Sequence, residues 1–524
     1  MSEIDIARLM PTLPDRISAI PRRWSARAPN APALHDGRRL WTYAELTATI
    51  DDTAALLRQL DVRAGDRLMV VGENCVAQVV LTFAAADIDA WIVHVNGRLS
   101  ACEVDQIIDH SGARRVIYTS APAATAAPAS PETVVHGRRH GAEAAESPFG
   151  AWMIGALNAG CAPEPAHAAP ERQVAALVYT TGTTGHPKGV MLTHRNLLFI
   201  AAVSSTLRGL TPDDRAYGVL PVTHVYGLAS VMLGTLYAGA CLYLCPRFTP
   251  DALIKSIRDD RLTILQGVPA MYARLLETLG ATDQGKPRRL ENQLRFAYAG
   301  GSPLSPSLKT QVEQVLGVAL HNGYGLTETS PTVSQTRLDA PRDDASVGMA
   351  IPGVEVRVVD AGGVDVAAGA DGELWVRGPN VMHGYYREPE LTAAAMRPDG
   401  WINTGDIARR GPDGALFIVG RTKELIIRSG FNVYPLEVET VLNAHPAVTQ
   451  SAVVGRDTAD GNEEVVAFVE LDPRRRVSIE ELQRYLATRL SPYKCPSEII
   501  AMPALPAATT GKILKGKLRQ LAQK

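Results

Sequence analysis

Residues 179–190, YTTGTTGHPKGV, set four threonines, three glycines and one lysine in a single short stretch. That mixture suits one chemical task, the holding of phosphate. Glycines at 182, 185 and 189 allow backbone angles and close approaches that a side chain would forbid. Backbone amides and the hydroxyls of Thr180, Thr181, Thr183 and Thr184 can then converge on phosphate oxygens, with Lys188 as a movable point charge. The spacing is not that of a Walker loop. No Ser or Thr follows the lysine, so a divalent metal must be held from elsewhere in the chain. Against this stands the bland reading of any glycine-rich stretch as a surface loop; the density of hydroxyls beside a lysine weighs against it.

Such a loop needs rigid elements on either side. Residues 174–178 read as a short buried strand, and VMLTHRNL after the loop as a strand edge passing into a helix. Upstream, Thr42 and Glu45 form a capping box at a helix start, RLMVVGEN (67–74) is a buried strand, and an apolar helix and the strand VIYTS (116–120) follow. Strand, helix, strand in this order predicts a parallel sheet covered by helices. The alternation resumes from Ala216 to about Leu320 and predicts a second doubly wound layer. From about Ala345 the strands are short and Gly-punctuated (VEVRVVD, GELWVRG, GALFIVG), the pattern of a small antiparallel barrel or sheet. The last hundred or so residues read as a compact α+β unit. The Ala/Pro-rich stretches 121–131 and 161–170 are expected to be exposed connections without a chemical role.

Composition excludes some functions. With 524 residues the chain can bury a large core, and its net charge of −2 makes no electrostatic case for nucleic acid. Basic residues near the C-terminus share a helix with Leu and Gln and read mostly as a solvated face. The six cysteines are scattered, without CxxC pairs or His at ligand spacing, as in a reduced, cytoplasmic protein. The N-terminus has no signal-peptide pattern. Residues 225–244 carry no charge and are long enough to cross a bilayer, yet the break at Gly239-Ala240 and Pro246 favour a buried helix followed by a buried strand.

Four further stretches stand in order behind the loop: HNGYGLTETS (321–330), NTGD (403–406), GRTKELIIRSGFNVYPLEVE (420–439) and TTGKILK (509–515). Together with YTTGTTGHPKG they resemble the adenylate-forming acyl-CoA synthetase superfamily, collinearly over nearly the whole chain. The resemblance implies an α/β fold: a large N-terminal domain (1–420) of two doubly wound sheet subdomains plus a small β-barrel, then a mobile α+β C-terminal domain (421–524). It also implies two half-reactions, acid plus ATP to acyl-AMP and pyrophosphate, then acyl transfer to the thiol of coenzyme A. The first joins two anions, so the site must neutralise phosphate and carboxylate charge before they meet.

By resemblance, Lys188 and the threonine loop, Gly182 included, hold the β and γ phosphates, and Glu328 with Thr327 coordinates Mg2+, a hard cation that takes oxygen ligands. Tyr324 stacks on adenine within a nucleotide cradle of Gly301, Asn322, Gly323 and Gly325. Asp406 takes the ribose hydroxyls with help from Arg421. Lys512 reaches between the reacting carboxylate and the α-phosphate. Lys423 is the hinge, and rotation about it brings Ser429, Gly430 and Phe431 to the pantetheine path. His224 matches an aromatic gate beside the carboxylate. The acyl pocket falls to His224, Tyr226, Ser230, Tyr298, Gly300, Gly301, Gly325 and Pro331, and HVYGLASVML is similar to the hydroxycinnamate ligases. That tilts the expected substrate to an aryl, arylpropenoic or medium-chain acid; no Arg or Lys in this segment would meet a dicarboxylate. Two departures are visible. Ile427 stands where some members have Lys, and Thr223-His224-Val225 lacks the Asp that pairs an amino acid's amine. Competing readings are a ligase that loads a carrier protein and a non-catalytic nucleotide-binding regulator. The expected partners are a small carboxylic acid, ATP and CoA, with no nucleic acid and no transmembrane segment; the oligomer stays open, a homodimer being one option.

Overall fold

The computed structural model describes residues 4–119, 131–181, 187–280, 288–428, 431–458, 462–508 and 513–523. Two large sheets form its bulk. In the eight-stranded sheet, Arg67–Gly72 and Trp91–Asn96 run parallel at the centre, Val174–Thr181 and Pro187–Thr193 form an antiparallel pair beside them, and Gly384–Tyr385 closes that edge. In the nine-stranded sheet, Cys241–Leu244, Arg215–Gly218, Ile264–Gly267, Phe296–Ala299 and Leu320–Gly325 are consecutive parallel neighbours, with antiparallel strands at both margins. These parallel strands are buried on both faces, so their sequences are near-continuous apolar runs and not alternating ones.

The expected small barrel or sheet is a four-stranded antiparallel sheet, in the order Glu355–Val359, Asp371–Arg377, Ile402–Arg410, Leu416–Arg421. Beyond it the apolar core changes identity. One cluster extends from Leu13 to Leu416, whereas Ile426, Val433, Val453, Leu482 and their neighbours pack in a cluster of their own. A separate core is what makes the C-terminal part a domain.

Several local expectations appear in atomic form. Thr42 and Glu45 do cap their helix reciprocally, as do Ser478 and Glu481 in the C-terminal domain. Residues 225–244 resolve into a buried helical segment and the buried strand Cys241–Leu244. No helix among the described residues is long and apolar enough to cross a membrane. The helical segment contains a π-helix over Tyr226–Leu233, a conformation frequent at functional sites.

Residues 161–170 are mostly exposed, as expected of a connection, and are tethered to the body of the protein at two points: the fully buried Arg67 donates to the Ala162 carbonyl at 2.8 Å, and the Tyr386 hydroxyl donates to Glu164 at 2.7 Å. The Pro-rich composition does not show these tethers because their donors come from distant segments. The stretch 120–130 lies outside the described residues.

Candidate active site

The NTGD motif ends inside a strand, and the register there does the positioning. Asp406 lies directly opposite Arg421 across two antiparallel strands, and Arg421 Nε sits 2.9 Å from its carboxylate. The other carboxylate oxygen accepts from the Tyr324 hydroxyl at 2.5 Å, which ties the four-stranded sheet to the end of Leu320–Gly325. Gly405 makes the turn in a left-handed conformation (φ +70°), its N–H donating to Asn403. The Thr404 hydroxyl accepts from the Asp406 N–H at 3.1 Å and donates to Leu374. Asp406 is thus held at both carboxylate oxygens and at its backbone N–H, while its side chain is only 4% exposed. Desolvation, then the Asp406 charge, raise the Tyr324 phenol well above its ordinary range, so it stays a donor.

A second group forms around Glu328. It stands in the short 3-10 turn Thr327–Thr329, and its carboxylate accepts from the Tyr385 hydroxyl at 2.8 Å. The ring of Tyr385 lies 5.7 Å from Lys188 Nζ, so one aromatic residue connects the lysine of the phosphate loop to the glutamate of the LTETS motif. The arrangement follows from pairing: Tyr385 is opposite Val190 at the sheet edge, two residues from Lys188. The segment leading to it is anchored by Asn196, whose amide donates to the Pro379 and Val381 carbonyls at 2.7 and 2.9 Å. Asn196 belongs to the THRN sequence after the loop, where with Thr193 it also caps the helix His194–Leu207. Sequence reasoning missed Tyr385; its only signal was the aromatic pair in HGYYRE.

Thr180 is paired across the strands with Lys188. Gly189 has a packing reason as well as a ligand one, since a Cβ there would lie 2.8 Å from the Leu177 side chain. Thr181 continues the strand backbone; Gly182, Thr183 and Thr184 lie outside the described residues, as do Ser429, Gly430 and Lys512.

His224 lies at the start of the π-helix, half-buried, with its Nδ1 accepting from the Tyr226 N–H at 3.3 Å. Its loop is held by Asn74, which donates to the Gly218 and Leu220 carbonyls and accepts from the Val222 N–H, all at 2.9 Å. Gly227 is required here, because a Cβ would come within 2.1 Å of the Pro221 carbonyl oxygen. Beyond the loop, the Tyr226 ring rests against Gly300, where an added Cβ would sit 3.2 Å from it. Ser230 shares a 3.4 Å contact with Thr332, beside Pro331. His224, Tyr226 and Gly300 are therefore neighbours, and Ser230 lies beside Thr332, next to Pro331, which itself packs on Gly325.

Two charged side chains are placed by the tertiary structure. The segment around His224 has no Arg or Lys, but Arg208, from the end of the helix His194–Leu207, is fully buried with its guanidinium 4.4 Å from the centre of the Tyr298 ring. In the C-terminal helix, Lys515 is an exception to the mostly solvated face. Its ammonium bridges Glu424 at 2.7 Å and Glu439 at 2.8 Å, tying the segment just after 509–512 to the turn Thr422–Glu424 that contains Lys423. Phe431 is half exposed and stacked on Tyr493, their rings 4.6 Å apart. Arg421, last residue of its strand, lies one step before that turn.

Lys188 and Glu328 stand on either side of Tyr385, and a buried aspartate is fixed by a tyrosine and an arginine. The family model described as AMP-binding enzyme matches residues 21–386, and that of the AMP-binding enzyme C-terminal domain matches residues 437–512; the chain belongs to this family. It is 35% identical to a feruloyl-CoA synthase of Amycolatopsis over 95% of its own length and 98% of that protein. It is 32% identical to 4-coumarate–CoA ligase 2 of Oryza sativa, covering 94% of this chain and 90% of the relative. The crystal structure of ATP-bound MatB from Rhodopseudomonas palustris superposes with a TM-score of 0.83 at 30% identity, covering 97% of this chain and 99% of that one. The protein is an acid–CoA ligase that works through an acyl-AMP, with a small carboxylic acid, ATP and CoA as substrates.

Proposed function

We propose that this ligase activates an aryl or arylpropenoic acid, and that its motifs divide the two half-reactions as follows. Lys188 and the threonine loop grip the β and γ phosphates, and Tyr324 presents its ring to adenine. Asp406, already oriented by Tyr324 and Arg421, accepts from the ribose hydroxyls. Glu328 is a carboxylate at the phosphate end with hydroxyl-bearing Thr327 next to it, a donor set that fits Mg2+; such an ion keeps one or two protein carboxylates and takes its other oxygens from phosphate and water. When bound, it would neutralise phosphate charge as pyrophosphate leaves.

In the first step a carboxylate oxygen attacks the α-phosphorus and pyrophosphate departs, with Lys512 offsetting the charge that gathers between the two anions. In the second, the CoA sulfur attacks the acyl carbon and AMP departs. Rotation about Lys423 withdraws Lys512 and brings the segment Ser429–Phe431 to the pantetheine path, while His224 guards the thiol's entry. A boundary at about residue 421 is supported by the separate core that begins with Ile426. The free cysteines agree with a reducing, cytoplasmic setting.

The observation that supports the substrate class is the seat of Tyr226 on Gly300, with Tyr298 two residues before that glycine and His224 two residues before that tyrosine, a cluster of rings that would suit a flat acid. Relatives that act on ferulate and 4-coumarate, by their names, agree with it. The test is a panel of acids with ATP and CoA, following pyrophosphate release and CoA-dependent AMP. Aryl and arylpropenoic acids should give the highest kcat/KM; a preference for saturated medium-chain acids would overturn the substrate class. In the same assay, Lys512→Ala should cut adenylation by about a hundred- to a thousandfold while sparing thioester formation from supplied acyl-AMP. Equal loss in both halves would contradict the division of labour.

A further inference from the structure

Beneath the proposed acyl pocket lies a polar group that the reaction steps above do not use. Gln266 and Tyr298 are directly opposite each other on parallel strands, and Gly267 and Gly300 mark the carboxyl ends of those strands just beyond them. Ligands of such sheets bind outside the carboxyl ends, so Tyr298 borders the proposed pocket and Gln266, opposite it, lies at the floor. Arg208 covers them. It is 1% exposed; it donates to two neutral amide oxygens, Gln266 Oε1 at 2.7 Å and Gln335 Oε1 at 3.4 Å, and also interacts with the Tyr298 hydroxyl. Among the described residues no carboxylate pairs with it. Its Nε, the Gln266 Nε2 and the Tyr226 hydroxyl are all buried and have no hydrogen-bond partner among the described residues.

Buried cations are as a rule paired, and buried donors as a rule find acceptors. Here three groups on three chain segments lie near one another, the Tyr226 hydroxyl within reach of the Arg208 charge, and one carries a full positive charge. The Tyr226 hydroxyl could accept as well as donate, yet none of the three pairs with another where they stand, so an oxygen that accepts would complete the group.

We infer that Arg208, Gln266 and Tyr226 form a specificity subsite that takes a hydrogen-bond-accepting oxygen at the end of the acid remote from its reacting carboxylate. This rests on the assignment of the acyl pocket to Tyr226, Tyr298 and Gly300. The oxygen's chemistry is common to a phenol, a methoxyl and a second carboxylate, and the cation favours whichever carries negative charge. The subsite also explains why Tyr226 keeps a hydroxyl in a position where a phenylalanine would fill the same space against Gly300.

The experiment compares matched acids in the pyrophosphate-release assay: arylpropenoic acids with hydrogen, methyl, hydroxyl, methoxyl or carboxylate at the far ring position. With the wild-type enzyme, the best oxygenated acid should exceed its hydrogen and methyl analogues about a hundredfold or more in kcat/KM, since a site built around buried donors rejects a ligand that leaves them unpaired. In Arg208→Met the ratio should collapse to within a few fold, and which oxygenated acid loses most identifies the source. Tyr226→Phe removes one hydroxyl and little volume; it should lower the ratio about tenfold, and it carries the test if Arg208→Met does not fold. A wild-type ratio near one, as when a buried water completes the group, overturns the inference while pyrophosphate release leaves the ligase reading standing. So does a ratio unchanged in the variants. Release with none of these arylpropenoic acids, but with saturated ones, overturns the proposed substrate class instead.

Discussion

Tyr385→Phe isolates the contact that joins the two halves of the phosphate end. The substitution removes the hydroxyl that donates to Glu328 at 2.8 Å and keeps the ring beside Lys188. A hydrogen bond to a charged group is worth about 1.5–3 kcal/mol, and because Glu328 is partly open to solvent the lower end applies, about tenfold in rate or affinity. Groups that orient a metal-binding carboxylate set metal affinity by about 10–100-fold, which brackets the same figure. The expected result is a roughly tenfold loss in kcat/KM for MgATP in pyrophosphate release, with the Mg2+ requirement moved to higher concentration. Tyr385→Ala also removes the ring, and a cation–π contact at a partly exposed site adds about 0.5–1 kcal/mol, a further two- to fivefold. Thioester formation from supplied acyl-AMP, which needs neither pyrophosphate contact nor Glu328, should be much less affected. If Tyr385→Phe matches wild type in MgATP kinetics, the hydroxyl does not orient Glu328. If both half-reactions fall together, its effect is on folding and the link between Lys188 and Glu328 is refuted.

Two more expectations concern stability. Lys515→Met leaves the buried Glu439 without its ammonium partner and should cost roughly 3 kcal/mol, given that breaking a buried pair by removing one partner costs about 3–5 kcal/mol. Hydrogen exchange should show the loss in the helix Pro435–Asn443 and its neighbours, with Glu439→Leu recovering part of it in the double variant; unchanged exchange would show that the pair is not structural. His94 and His194 are buried, and burial lowers each to about 3 from an ordinary value of 6.5. Below pH 6.5 the unfolded chain takes up protons that the native state refuses, so stability falls with pH from about 6.5 down to about 3. The slope is about 1.4 kcal/mol per histidine per pH unit. Urea unfolding at pH 7.5 and 5.5 should show this loss, and His94→Gln should flatten it; an unaltered slope would remove His94 from the account.

Much of the protein was legible without coordinates. The parallel strands could be named because burial on both faces leaves continuous apolar runs, and the Thr42–Glu45 cap because capping acts within one helical turn. The motif residues were legible because their chemistry dictates their types: Thr, Gly and Lys for phosphate, Asp for paired hydroxyls. The neighbours of these residues were not legible. Asn74 holding the His224 loop, Asn196 holding the segment of Tyr385 and Lys515 held between Glu424 and Glu439 are all pairings between distant segments, and each reads in isolation as an ordinary surface side chain.

The amino-acid order by itself determined an α/β scaffold, through local spacing and residue type, and an adenylate-forming chemistry, through the resemblance that its five collinear motifs carry. Tertiary structure alone decided what stands next to what. Sheet register set Asp406 opposite Arg421, an edge strand brought Tyr385 between Lys188 and Glu328, and a helix end set Arg208 against Tyr298. The physical reason is that strand pairing and helix packing join residues far apart in the chain, and the charge at such a junction belongs to no single stretch of it.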